Sequence, residues 1–312
     1  MLHFVFLTKL SDRMASIQSI LNFEGWNGYP QFETKMGHGR VALIASILCT
    51  VLGMHLVLCL EVALVRFGIL SIDVLGDSTF WTKDTLQMAL QWTVYIIFLC
   101  TFHLGEFFAT SLFNPSVTTA DSFMVNHSKA YSAAALISWV EFIVRFLFSP
   151  KTNSTFIFFV GLGFVIGGQI CRTWAMVTCG ESFNHYIQRD KKDNHVLVTH
   201  GMYVIYICRP ILDTHSLSSL LLPIHARYSF LRHPSYVGFF YWAVGTQLLL
   251  CNPLSTALYG LAAWTFFRHR IVYEEATLRA LFPGDYEHYG SKTYIGIPLI
   301  NRFVNTANAK DE

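Results

Sequence analysis

The chain has 312 residues, of which 53% are hydrophobic and only 13% are charged, and its formal net charge is +2. Soluble domains carry about 25% charged residues, so this composition excludes an ordinary soluble protein and indicates an integral membrane protein. A net charge so close to zero implies no polyanionic partner, and no stretch resembles a nucleic-acid-binding module. The cysteines lie scattered in or beside apolar runs without a C-x-x-C pair, which argues against a disulfide framework.

Long apolar runs predict membrane-spanning helices, because about 20 apolar residues suffice to cross the hydrocarbon layer. These runs are Val41–Leu70, Leu86–Phe113, Tyr131–Phe148, Thr155–Val177, Tyr236–Leu250 and Leu254–Phe267. The last two are joined by Cys251–Pro253, which is short enough only for a tight antiparallel hairpin. The final run is expected to continue as one helix through Leu278, out of the membrane. The sequence therefore predicts an all-α, polytopic membrane helical bundle.

Several polar or small residues inside these runs predict helix–helix contacts. Ionisable groups within a span favour the protein interior over lipid, whether as a functional site or as a structural network. They are His103, Glu106, Glu141 and Arg145, and the last two are spaced to pair on one helix face. Four glycines in the fourth run, which permit close helix packing, are Gly161, Gly163, Gly167 and Gly168.

A polar segment, 179–203, follows the fourth run and is rich in Lys, Arg and His. Short basic loops stay on the cytosolic side, so the polar half of the chain is expected to face the cytosol. His195 and His200 are spaced i,i+5, whereas helical zinc pairs prefer i,i+3 or i,i+4, and no cysteine or carboxylate completes a site. No metal site is therefore predicted.

The stretch Ser229–Phe240 gathers hydrogen-bonding side chains immediately before an apolar run. Pro234 favours an extended His233 and suits the first turn of a helix, whose free N–H groups attract a carboxylate. Gly238 permits close approach of another group to the backbone. The alternative is a structural role as a juxtamembrane anchor, since Arg and Tyr commonly flank membrane spans.

A second candidate pair, Arg270 and Glu274, lies four positions apart where the last helix leaves the membrane. As a surface ion pair it would contribute under about 1 kcal/mol, but both groups are expected to be partly desolvated there. The chain has no G-x-S-x-G elbow, no Walker loop and no G-x-G-x-x-G after a strand, which excludes a soluble Rossmann-type cofactor domain.

These motifs, in this order, resemble the isoprenylcysteine carboxyl methyltransferase family over roughly residues 86–300. The carrying segments are Ser182–His185 with Gln188, His195–Thr199, Arg232–Gly238, Gly245–Gln247, Cys251–Pro253, Phe266–Arg270 and Glu274–Glu275. The Arg-His-Pro-x-Tyr-x-Gly piece alone is shared with phospholipid methyltransferases and sterol reductases, so the ordered set carries the specificity.

The resemblance implies S-adenosyl-L-methionine as methyl donor and a prenylated C-terminal cysteine as acceptor. Partners would be small GTPases and other CaaX proteins at the endoplasmic reticulum membrane, with the active site facing the cytosol. By position, the cofactor-binding residues would be Gln188, His195, Val196, Leu197, Val198, Tyr203 or its stand-in Tyr228, His233, Pro234, Ser235, Tyr236 and Glu274. Arg270 would hold the substrate carboxylate and serve as the catalytic residue.

The chain departs from the family at 204–228, which separates Tyr203 from the Arg-His-Pro motif. Removing this block leaves a continuous family-like segment, so we interpret it as a gene-model artefact such as a retained intron, with a genuine insertion as the alternative. The predicted regions are 1–85 with one clear span, 86–178 with transmembrane helices, and a catalytic region, 179–312, interrupted by that block.

The reaction implied is methylation of the prenylcysteine carboxylate. The alternatives are a phospholipid N-methyltransferase, a sterol reductase, and a non-enzymatic lipid-binding or transport protein. An amine acceptor must lose a proton, whereas a carboxylate favours a nearby cation, so Arg270 favours the carboxyl methyltransferase.

Overall fold

A computed structural model describes residues 35–76, 80–125, 129–180, 230–301 and 303–304. The helices are α1 (Lys35–Arg66), α2 (Lys83–Phe113), α3 (Lys129–Phe148), α4 (Thr155–Cys179), α5 (Pro234–Leu249), α6 (Pro253–Leu281) and α7 (Asp285–Lys292). Short 3-10 turns lie between α1 and α4. Within these ranges the backbone forms no named strand, so the all-α prediction is confirmed.

The six predicted apolar runs correspond to helices α1 to α6. Among the helices that the structure describes, four, α1 to α4, are long and apolar enough to cross a membrane by length and composition, and the last two predicted spans are not among them. α1 ends at Arg66 rather than Leu70, because Gly68 takes a left-handed conformation with φ 74° that stops the helix. Pro234 and Pro253 each occupy the first helical position, where the missing N–H costs nothing. The final run does continue as one helix beyond Leu278.

The described residues divide into two compact units. The first takes the described residues up to Val165 together with Val244–Tyr259, and the second takes the described residues from Ile166 to Ala243 and those from Gly260 onward. Helices α4, α5 and α6 contribute residues to both units. The block 204–228, which we interpret as a gene-model artefact, lies outside the described residues.

In the first unit, α1 and α2 pack along their length through apolar side chains. Val41 lies in one cluster with Leu104 and Phe107, while Val62 lies in another with Leu86. The two helices therefore run antiparallel, and the burial of these side chains stabilises the pair.

The intramembrane histidine of α2 anchors a neighbouring turn. His103 is 4% exposed, and its Nδ1 lies 2.8 Å from the carbonyl oxygen of Phe123. A carbonyl only accepts, so Nδ1 carries the proton and Nε2 is left to accept from the Tyr131 hydroxyl at 3.4 Å. Phe123 also stacks on Phe107 with ring centroids 4.2 Å apart. These contacts support the structural interpretation of His103.

Glu141 and Arg145 of α3 bind the turn between α5 and α6. The Glu141 carboxylate accepts from the backbone N–H groups of Leu254 (2.9 Å) and Ser255 (2.7 Å), which caps the start of α6. Arg145 Nη1 donates to the Leu250 carbonyl oxygen at 3.1 Å. Cys251, inside this turn, takes φ 55°. The predicted tight hairpin is therefore held by a neighbouring helix.

Glycines set the contact between α4 and α5. In the first unit Gly161 lies against the backbone of Leu249. In the second unit a Cβ built on Gly168 would lie 2.6 Å from the Gly238 carbonyl oxygen. The expectation was wrong for Gly163 and Gly167, because a Cβ there meets none of the described residues within 4 Å. Within the described part of the chain, two of the four glycines thus form the contact.

We expect Gly168→Ala to lower the free energy of unfolding by about 1–3 kcal/mol, because the added methyl group meets backbone atoms that cannot rotate away. Gly167→Ala is the matched control and should be neutral or slightly stabilising. Thermal unfolding of the detergent-solubilised proteins tests this prediction. Equal melting temperatures for the two variants would contradict it.

Candidate active site

The start of α5 is fixed by hydrogen bonds to the C-terminal segment. Leu231 forms an isolated parallel bridge with Tyr294, in which Arg232 N–H donates to the Tyr294 carbonyl oxygen at 2.9 Å. Tyr294 N–H donates in turn to the Phe230 carbonyl oxygen at 2.8 Å. Gly296, at φ 88°, allows Leu231 and Val237 to pack closely over it. The chain therefore enters α5 along a defined path.

A buried carboxylate, that of Glu275 on α6, collects hydrogen bonds from several segments. Its Oε1 accepts from Arg232 Nε at 2.6 Å, from His233 Nε2 at 2.8 Å and from the Tyr286 hydroxyl at 3.1 Å. Its Oε2 accepts from Arg279 at 3.2 Å. Glu275 is only 1% exposed, so these donors replace the water that the carboxylate gives up. We call Arg232, His233, Glu275, Arg279 and Tyr286 the Glu275 cluster.

The electrostatics of this cluster keep Glu275 ionised. Burial alone would raise the pKa of Glu275, but the hydrogen bond from His233 and the electrostatic interactions with His233 and Arg232 outweigh it and lower that pKa to about 2. Burial and the adjacent carboxylate raise the pKa of Tyr286, so its hydroxyl remains a donor. Arg232 also donates to the carbonyl oxygens of Gly290 (2.9 Å) and Thr293 (2.7 Å).

Beside this cluster, the Tyr236 hydroxyl joins two charged residues of α6. Arg270 Nε donates to it at 2.8 Å, and it donates to Glu274 Oε2 at 2.5 Å. The Arg270 guanidinium carbon lies 5.3 Å from the centre of the Tyr236 ring. The ring also stacks against His233, with centroids 5.5 Å apart and planes within 4°. The site therefore combines a cation, an anion and aromatic faces.

A buried arginine of α4 holds the first turn of α5. Arg172 is 4% exposed, and its Nη1 donates to the hydroxyl of Ser235 at 3.2 Å and to its carbonyl oxygen at 3.4 Å. Its guanidinium carbon lies 5.2 Å from the centre of the Phe239 ring. The neighbouring Cys171 thiol donates to the Pro234 carbonyl oxygen at 3.3 Å. These contacts fix Ser235 from the α4 side.

Six of the residues predicted for the site are described, and the structure brings them to the start of α5 and the middle of α6: His233, Pro234, Ser235, Tyr236, Arg270 and Glu274. The others lie outside the described residues: Gln188, His195, Val196, Leu197, Val198, Tyr203 and Tyr228. Gly238 does admit a close neighbour, which is the backbone of α4 at Arg172 N, 2.6 Å from a built Cβ.

Sequence reasoning missed the roles of Glu275, Arg232 and Arg172. Glu275 enters the family resemblance only as the neighbour of Glu274, although its i,i+4 spacing to Arg279 is a usable signal. Arg172 gave a weaker signal, as a lone cation near the end of an apolar run. Contacts such as Arg232 to Glu275 join residues 43 positions apart and have no local pattern.

We expect Glu275→Gln to lower the free energy of unfolding by about 3 kcal/mol, because it leaves buried cations without their counter-charge. The folded-state pKa of about 2 lies below the ordinary 4.5, so Glu275 stabilises fully above about pH 5 and this contribution disappears as the pH falls towards 2. Thermal unfolding between pH 3 and 7 should show a difference between the wild type and the variant that shrinks on acidification.

The control for this prediction is Asp121→Asn, which removes an exposed ion pair with Arg40 in which the side chains are 76% and 62% exposed. This change should cost less than about 1 kcal/mol. A loss for Glu275→Gln no larger than that of the control, or a difference independent of pH, would contradict the prediction.

Comparison with known proteins identifies the family. The family model "Isoprenylcysteine carboxyl methyltransferase (ICMT) family" matches residues 159–210 and 217–280, which include Arg172, Tyr236, Arg270 and Glu275. Protein-S-isoprenylcysteine O-methyltransferase of Xenopus laevis is 41% identical over 207 residues, covering 66% of this chain and 63% of that protein. The Dictyostelium discoideum protein of the same name is 36% identical over 208 residues, covering 67% and 77%.

A solved structure of a eukaryotic intramembrane Ras methyltransferase ICMT has a TM-score of 0.65 and 30% identity, covering 95% of this chain and 87% of that one. The matched part spans just under two thirds of the vertebrate relatives, 63% of the Xenopus laevis protein and 64% of the Rattus norvegicus one. Family model, relatives and fold agree, and the chain belongs to the isoprenylcysteine carboxyl methyltransferase family.

Proposed function

We propose that the protein transfers a methyl group from S-adenosyl-L-methionine to the C-terminal carboxylate of a prenylated cysteine. The observation that carries the proposal is the Arg270–Tyr236–Glu274 arrangement, in which a cation and an anion lie on either side of one hydroxyl. Family membership supports the same chemistry. The acceptors would be small GTPases and other processed CaaX proteins.

The substrate carboxylate requires no general base. A C-terminal carboxyl group has a pKa of about 3.5, so it is already ionised at neutral pH and its oxygen is the nucleophile. Arg270 would bind this anion through its planar guanidinium, whose fork geometry suits a carboxylate. Its role is to hold one oxygen in line with the methyl group, and positioning of this kind contributes several kcal/mol, on the order of 7 in favourable cases.

The described residues also fit the methyl donor. When bound, S-adenosyl-L-methionine supplies an electrophilic sulfonium methyl group, and the oxygen–methyl bond forms as the sulfur–methyl bond breaks. Glu274 would accept hydrogen bonds from the methyl donor, and its negative charge suits a cationic ligand. Pro234 and Ser235 lie on the first turn of α5, where backbone N–H groups favour a carboxylate.

The remaining cofactor residues stay a proposal from family position: Gln188, His195, Val196, Leu197, Val198 and Tyr203 or Tyr228. We also propose the endoplasmic reticulum membrane as the location, with the site facing the cytosol, because the polar segment 179–203 is rich in Lys and Arg. Methylation would remove the charge of the lipidated terminus and strengthen its membrane anchoring.

A carboxylate acceptor agrees better with this site than an amine does. A protonated phospholipid amine would be repelled by Arg270 and would need to lose a proton before reacting. Arg270 is part-buried beside Tyr236, and charge interactions there are screened less than at an open surface. The phospholipid N-methyltransferase alternative is therefore the weaker candidate.

The test is methyl transfer from S-adenosyl-L-methionine to N-acetyl-S-farnesylcysteine in membranes that contain the full chain. Arg270→Ala should lower kcat/KM at least about 30-fold, because removing the cation leaves the bound carboxylate without its counter-charge. Arg270→Lys should retain part of the activity. Full activity of Arg270→Ala would contradict the assignment.

Arg268→Ala is the matched control on the same helix. The Arg268 guanidinium carbon lies 5.5 Å from the Trp264 ring and 4.8 Å from the Phe303 ring, which is a separate aromatic contact. This variant should keep normal methyl transfer. The same assay on a chain without 204–228 would show whether that block affects activity.

A further inference from the structure

Two opposite charges on α6 are held apart by a side chain from another helix. Arg270 and Glu274 are four positions apart, a spacing at which arginine and glutamate commonly pair directly on a helix. Here the Tyr236 hydroxyl lies between them, 2.8 Å from Arg270 Nε and 2.5 Å from Glu274 Oε2. The hydroxyl therefore occupies the position in which the two side chains would otherwise meet.

The direction of these hydrogen bonds follows from the chemistry of the groups. Arginine Nε is only a donor, so the hydroxyl oxygen must accept from it. The single hydroxyl proton then points to Glu274, whose oxygen accepts it. The hydroxyl therefore engages the cation with its lone pair and the anion with its proton, and it satisfies one site on each without neutralising either charge.

The position of this hydroxyl is set by α5 and its surroundings. The Tyr236 ring is stacked against His233 and lies 5.2 Å, centre to centre, from the Phe267 ring. His233 is in turn bonded to Glu275 at 2.8 Å. The first turn of α5 is also fixed by Arg172 through Ser235. The hydroxyl is thus a rigid group placed between two long, flexible side chains.

We propose that Tyr236 is a positioning residue whose hydroxyl prevents Arg270 and Glu274 from pairing, so that each charge serves its own ligand. This inference rests on the proposed function, in which Arg270 binds the substrate carboxylate and Glu274 binds the methyl donor. Without the hydroxyl, the i,i+4 pair closes and the guanidinium is withdrawn from the substrate. The resulting loss of binding affinity is specific to substrates that carry a carboxylate.

The experiment measures equilibrium binding to the purified full chain in detergent, without methyl donor. The two probes are N-acetyl-S-farnesylcysteine and its methyl ester, which differ only in the charge at the C-terminus. Tyr236→Phe should weaken binding of the acid about 10-fold, because Glu274 then competes for Arg270 and the acid loses about one hydrogen bond to a charged group. It should leave binding of the ester unchanged. Wild-type protein should bind the acid more tightly than the ester.

A second substitution distinguishes separation of charges from simple damage. Tyr236→Phe combined with Glu274→Gln removes the carboxylate that captures Arg270, so binding of the acid should recover most of the 10-fold loss. If Tyr236 were merely structural, the second change would add a further loss or none. Tyr286→Phe is the control, because it removes another buried tyrosine–glutamate hydrogen bond on the Glu275 cluster. It should lower the melting temperature without changing the acid-to-ester ratio.

The outcomes separate the two proposals. Wild-type protein that neither transfers the methyl group nor prefers the acid overturns the proposed function and this inference with it. An active wild type whose Tyr236→Phe variant binds the acid normally, or loses acid and ester equally, overturns the inference alone. An active wild type with no recovery in the double variant does so as well.

Discussion

The buried Glu275 carboxylate is the interaction on which the candidate site depends. Removing an ionised carboxylate from water costs several kcal/mol, so it is stable inside the protein only when its oxygens are fully bonded. Here the donors come from the chain before α5, from α6 itself and from α7. One charge therefore holds these segments together. It fixes His233 through a hydrogen bond, and the Tyr236 ring stacks on His233.

The two neighbouring glutamates of α6 have different surroundings because consecutive helical residues point about 100° apart. Glu275 points inward, where it is 1% exposed and surrounded by donors. Glu274 receives the Tyr236 hydroxyl on a neighbouring face. Of these two adjacent residues, Glu275 thus supplies a carboxylate that fixes the fold, and Glu274 supplies one that remains suited to bind a ligand.

The sequence predicted the elements better than it predicted their contacts. Apolar length identified α1 to α4, and Pro234 marked the start of α5, because these signals are local. The i,i+4 spacing would allow Arg145 to pair with Glu141, but both reach the turn between α5 and α6, since a helix terminus offers unpaired N–H and C=O groups. The resemblance located Arg270 and Glu274, yet the hydroxyl between them belongs to another helix and only tertiary structure brings it there.

The geometry of the candidate site depends on the glycine contacts of the second unit. A Cβ on Gly238 would lie 2.6 Å from Arg172 N and 2.8 Å from Arg172 Cβ, so any larger residue would push this part of α4 away. The Arg172 guanidinium would then move from Ser235, to which it is bonded at 3.2 Å. Ser235 precedes Tyr236, so the displacement would reach the hydroxyl that separates Arg270 from Glu274. The absence of a side chain at Gly238 is therefore a condition for the geometry of the charges on α6.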